Sequence, residues 1–128
     1  MADTPMQKGA EILQKLFPGA TPRTALPADF GRMTVEHVFG AVWSRPGLTL
    51  EEREIVTSSV LVALGREHEQ HLHFRAARNL GISRAKLEEI LMHVAHYAGW
   101  PAAVTAFGVL DEVWRAMDAE AAAAAKKP

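Results

Sequence analysis

The chain has 128 residues, 48% of them hydrophobic, which is enough apolar material for one globular domain with a genuine core. Its 14 basic and 15 acidic residues leave a net charge of −1 with no long run of either sign, so nucleic acid and anionic membrane surfaces are not expected as partners. Cysteine is absent, which excludes disulfides, thiolate metal sites and thiol-based redox chemistry.

Met1 to Gly9 has no apolar leader, and no stretch reaches the ~18 apolar residues of a membrane span, so a soluble cytoplasmic protein is expected. Helix signals recur throughout while alternating strand patterns are missing, so the fold class is expected to be all-α, with about six helices in a single domain over residues 1–128. A first helix is expected over Lys8 to Phe17, ended by Pro18 and Gly19, followed by an irregular arm from Thr21 to Pro27; helix and arm together fill residues 1–28. Asp29 reads as the cap of a second helix running to Trp43, which Arg45, Pro46 and Gly47 break. Thr49 with Glu52 forms a capping box, predicting a third helix from Leu50 to Leu64 that stops at Gly65. A fourth follows from Arg66 to Leu80, closed by Gly81, and Ser83 caps a fifth that ends at Gly99. Pro101 suits the first turn of a sixth, carrying Ala103, Phe107, Leu110, Trp114 and Met117 along one face. The alanine-rich tail, residues 119–128, reads as a fraying end.

Apolar residues go most of the way round the third helix: Ile55, Val56, Val60, Leu61, Val62 and Leu64. Such a helix is usually central, and in so short a chain it suggests that neighbouring subunits help to bury it and the proline-rich arm, hence a homo-oligomer.

Glu69, His73, Ala76, Ala77 and Leu80 share one face of the fourth helix, so two ionisable groups head an apolar stripe. Burying both costs several kcal/mol unless they pair. The pair is either a satisfied structural hydrogen bond or an acid/base couple in which the carboxylate fixes the imidazole tautomer. Arg53 shares a face with Val56, Val60 and Leu64; the simpler account is a solvated side chain, the sharper one a clamp for a substrate carboxylate. His93 and Tyr97 lie one turn apart on the fifth helix and are placed to line the same cavity as His73. Glu67, His68, Glu69, His71 and His73 crowd together, but their histidines miss the i, i+4 spacing of H-E-x-x-H around the glutamate, and no metal is expected.

Taken in order, Trp43-Ser44-Arg45-Pro46-Gly47-Leu48, then Arg53, Glu69-x-x-x-His73, Ala76-Ala77-x-Asn79-x-Gly81 and Tyr97-Ala98-Gly99-x-Pro101-Ala102-Ala103 resemble the carboxymuconolactone decarboxylase family. The likeness runs over roughly residues 30 to 110 and takes its specificity from the order of the segments together. It implies an all-α fold assembled into a homo-oligomeric ring, commonly a trimer or hexamer, and a lyase without cofactor or metal. The implied reaction removes carbon dioxide from 4-carboxymuconolactone, in the β-ketoadipate pathway of aromatic (protocatechuate) catabolism. The resemblance casts Glu69 as orienting His73, His73 as proton donor or oxyanion partner, Arg53 as carboxylate anchor or brace for Glu69, His93 and Tyr97 as substrate-binding groups, and Trp43 and Trp100 as apolar walls. This chain departs from the founding decarboxylase's pattern at His93, where that pattern has Gln, at Trp100, where it has a small aliphatic residue, and at Phe39, where it has Trp. The His93 and Trp100 form resembles a looser group of relatives with unassigned or different substrates. Alternatives are a lactone isomerase or hydrolase, which a His backed by Glu serves equally well, and a non-catalytic small-molecule-binding oligomer.

Overall fold

The computed structural model describes residues 3–20 and 25–127. Residues 21–24 of the arm read from Thr21 to Pro27 lie outside them. Every regular element among the described residues is helical, and no helix there is long and apolar enough to cross a membrane. Contacts gather into two compact units, residues 1–53 and 54–128.

In the first unit, helix α1 spans Pro5–Leu16. It starts earlier than expected because Thr4 and Gln7 form a reciprocal capping box: the Gln7 amide donates to Thr4 Oγ1 at 3.2 Å and the Thr4 amide to Gln7 Oε1 at 2.8 Å. Helix α2, Ala28–Met33, follows Pro27 directly. Asp29 is therefore not its cap but lies inside the first turn, where it pairs with Arg32 at 3.1 Å. A π-helical segment, Thr34–Trp43, continues from α2 and presents Phe39, Gly40 and Trp43 inward. It crosses α1 backbone against backbone. A Cβ on Gly9 would sit 2.1 Å from the Val35 carbonyl oxygen, and one on Gly40 would sit 2.0 Å from that of Pro5. Only glycine allows that approach.

Helix α3, Leu50–Ala63, opens with the expected capping box, Thr49 and Glu52 exchanging amide hydrogen bonds of 2.8 and 3.1 Å. Its residues from Glu54 onward belong to the second unit, with α4 (Glu67–Asn79), α5 (Arg84–Ala98) and α6 (Trp100–Ala125). Two turns of the same design join α3 to α4 and α4 to α5. Gly65 at φ +69° lets Arg66 N–H reach the Leu61 carbonyl at 2.9 Å and Gly65 N–H reach that of Val62 at 3.1 Å. Gly81 at φ +90° does the same with Ile82 to Ala77 at 3.0 Å and Gly81 to Arg78 at 2.9 Å. Both are Schellman endings, which satisfy carbonyls a helix end would orphan. Ser83 caps α5 by accepting from the Lys86 amide at 3.1 Å.

Phe74, Leu87, Leu91, Ala106, Leu110 and Val62 form the heart of the second unit's core. Where the composition reads as a fraying tail, α6 runs on to Ala125. Alanine is the best intrinsic helix former, and α4 holds this end through ion pairs of Arg75 with Glu120 (2.8 Å) and Arg78 with Asp118 (2.7 Å).

The inward face of α3 is not the one its hydrophobicity suggests. Val56, Val60 and Leu64 are 54%, 49% and 64% exposed, whereas Glu54, Ser58 and Val62 are buried. The other large apolar groups left exposed in this unit are Met92, Tyr97, Trp100 and Val104.

Candidate active site

Three polar side chains are fully buried among the described residues, Glu54, Ser58 and Gln70, and all three lie on α3 and α4. His73, on α4, has a side chain only 16% exposed and meets the first of them. Its Nδ1 lies 2.8 Å from Glu54 Oε1 and 3.1 Å from Oε2. An ionised carboxylate offers only acceptors, so the pairing puts the hydrogen on Nδ1 and orients the ring. Burial pushes the Glu54 carboxyl above its ordinary value of 4.5, against the opposing pull of His73, through hydrogen bond and charge, and of Ser58.

The carboxylate that orients His73 is thus Glu54 and not Glu69, as the one-turn spacing suggests. The two groups of the observed pair are 19 residues apart in sequence and meet because α3 and α4 fold back at Gly65. Glu69 is half-buried one turn before His73. A signal for Glu54 does exist in the sequence: Glu54, Ser58 and Val62 recur every four residues along the helix. The competing stripe of Val56, Val60 and Leu64 masks it.

The other candidates fall elsewhere. His93 and Tyr97 stack with ring centroids 5.2 Å apart and line an open groove of about 590 Å³ with Ser59, Val60, Ala63, Val94 and Ala98. His73 is not among its lining residues. Trp100 is 66% exposed and meets the His96 ring edge-on at 5.8 Å. In the first unit, Trp43 is buried against Phe39 with centroids 5.7 Å apart, as a packing residue would be. Arg53, half-buried, donates from Nη2 to the Arg45 carbonyl at 3.0 Å, and its buried Nε has no hydrogen-bond partner among the described residues. The histidine-rich start of α4 spreads outward: His71 points to Glu112 on α6 at 3.6 Å. Among the described residues, no three His, Asp or Glu side chains converge as metal ligands would.

A buried Glu and His joined across a helical hairpin, in a cysteine-free chain, can move a proton but cannot carry thiol chemistry. Residues 28–112 match the carboxymuconolactone decarboxylase family. The chain belongs to that family. Over 87 residues it is 42% identical to a 4-carboxymuconolactone decarboxylase of Acinetobacter baylyi, a match that covers 68% of this chain and 65% of the relative. Over 98 residues it is 31% identical to a nitrosuccinic acid decarboxylase of Metarhizium robertsii, covering 77% of this chain and 66% of that protein. The aligned segments thus span just under two thirds of each relative's length.

Proposed function

We propose that this family member is a cofactor-independent decarboxylase acting on a carboxylated lactone such as 4-carboxymuconolactone, within aromatic catabolism. The observation that carries the reading is the buried Glu54–His73 pair, with Nδ1 and Oε1 2.8 Å apart. The names of both relatives describe loss of a carboxyl group, which favours a decarboxylase over a lactone isomerase or hydrolase.

The chemistry asks little of the protein. The bond from ring carbon to carboxylate breaks, carbon dioxide leaves, and the electron pair passes through the ring double bond onto the lactone carbonyl oxygen. The enolate so formed takes a proton on carbon. A site must therefore hold the substrate, stabilise the oxygen where charge develops, and deliver one proton away from bulk water. Glu54 holds Nδ1 of His73, so proton traffic passes through Nε2, and the carboxylate steadies the imidazolium that precedes transfer. In this scheme His93, Tyr97 and Trp100 are the groups assigned to receive the substrate's ring. Glu69, one turn from His73, completes the acidic surroundings of the imidazole. Trp43 is a packing residue in this scheme.

We assign the exposed apolar groups of α3, α5 and α6 to contacts with further copies of the chain, in a ring of three or six. Val56, Val60, Leu64, Met92, Tyr97, Trp100 and Val104 are each about half exposed or more, more apolar surface than isolated outlying residues would give. Because the groove of His93 and Tyr97 opens on this face, assembly is expected to close it.

The test is carbon dioxide release from 4-carboxymuconolactone by the purified protein, His73→Ala and Glu54→Gln. Turnover by the wild type, about 10³-fold lower in His73→Ala and at least tenfold lower in Glu54→Gln, is expected for loss of general acid catalysis. Turnover unchanged by either substitution would overturn the assignment of the pair.

A further inference from the structure

We propose that Gln70 is a positioning residue, whose side-chain amide sets the register of α4 on α3 and thereby presents His73 to Glu54. For its effect on turnover, this inference rests on the reading of the Glu54–His73 pair given above.

Gln70 is 1% exposed, and its Nε2 donates to the Leu61 carbonyl at 3.2 Å. That carbonyl is the one the α3–α4 turn already uses, receiving Arg66 N–H at 2.9 Å. The side chain therefore ties the first turn of α4 to the fixed end of α3. Gln70 and His73 are three residues apart on α4, and Leu61 and Glu54 are seven apart on α3, so each couple shares a helix face. The two bonds, Gln70 to Leu61 and His73 to Glu54, are successive rungs between the same two helices.

Apolar packing alone leaves such helices free to slide by fractions of a turn at little cost, because ridges and grooves accept a range of offsets. A directional bond from a short side chain does not. At the same time Gln70 Oε1 is buried without a hydrogen-bond partner among the described residues. A leucine or methionine would fill similar space with no orphaned acceptor, so stability by itself favours the apolar residue. What only the amide adds is the directional bond. Its place beside the buried Glu54 carboxylate and its histidine makes orientation of that pair the function it serves.

The experiment uses the full chain with Gln70→Leu and, should that variant fold poorly, Gln70→Met. The His73 ring is followed by ¹⁵N NMR across pH, alongside kcat and KM for 4-carboxymuconolactone. A positioning role gives a thermal midpoint equal to or above the wild type, a displaced Nδ1 signal with an altered His73 titration, and a kcat about tenfold lower with KM within twofold. A His73 signal and titration identical to the wild type in the folded variants would overturn the proposal. If the wild type itself released no carbon dioxide, the decarboxylase reading would fall, and the NMR comparison would still decide the role of Gln70.

Discussion

Helix α3 carries two stripes that behave in opposite ways. Glu54, Ser58 and Val62 are buried although two of the three are polar, while Val56, Val60 and Leu64 are exposed although all are apolar. Hydrophobicity ranks these stripes in the wrong order because burial is set by which neighbour a face meets. On the polar stripe Glu54 meets His73 of α4, whereas the apolar stripe stays half exposed or more, with Val60 at the edge of the open groove beside His93 and Tyr97. Each inversion has a stability cost, and functional sites are where such conflicts with local preference are expected.

The largest effects are expected at the buried stripe. His73→Leu leaves Glu54 buried without its imidazole and is expected to lower unfolding free energy by about 3 kcal/mol, whereas Glu54→Leu with His73→Leu together recovers most of that loss. Urea titration of both variants measures it, and equal losses would mean that the pair is not energetically coupled. On the exposed stripe, Val60→Asp is expected to reduce the proposed ring to single chains in sedimentation. A wild type that is already a single chain would remove the stripe's proposed partner.

A smaller effect is a pH drift from Glu54. Its folded-state pKa is raised, mainly by burial, so the native state binds more protons than the unfolded chain between 4.5 and the raised value. The stability this group contributes is complete below 4.5 and is lost as pH rises through the folded value. Glu54→Gln lacks this term, so its thermal midpoint should gain on the wild type with rising pH across that window, and parallel curves would contradict the buried carboxyl. Smallest of all, Leu64→Ser should change the unfolding free energy of the separated chain by no more than about 0.5 kcal/mol in the same titration.

What the sequence discloses and what it hides divide along the range of the interactions. Thr49 with Glu52, Gly65, Gly81 and Ser83 mark helix ends by contacts within a few residues, and the structure places helix ends at each of them. The all-α class follows from those local marks. Asp29 carries the same capping signal and does not cap, because Pro27 starts α2 ahead of it. The π-helical segment has no local signature and answers to its crossing with α1 at Gly9 and Gly40. Glu54 is hidden among Glu51 and Glu52, since its four-residue recurrence with Ser58 and Val62 is outweighed by the more apolar stripe of Val56, Val60 and Leu64. His73 is conspicuous by type, and its true partner lies beyond the range over which side-chain spacing on one helix can speak.

The three residues between α3 and α4 have a consequence far from where they stand. Gly65 holds a left-handed conformation that any other common side chain enters only with strain, and the Arg66 amide it directs shares the Leu61 oxygen with Gln70. A β-carbon added at this bend touches nothing, yet it would skew the hinge from which an acid and its base are hung. Damage there would look like a surface lesion on inspection and register as a disturbed Glu54–His73 pair.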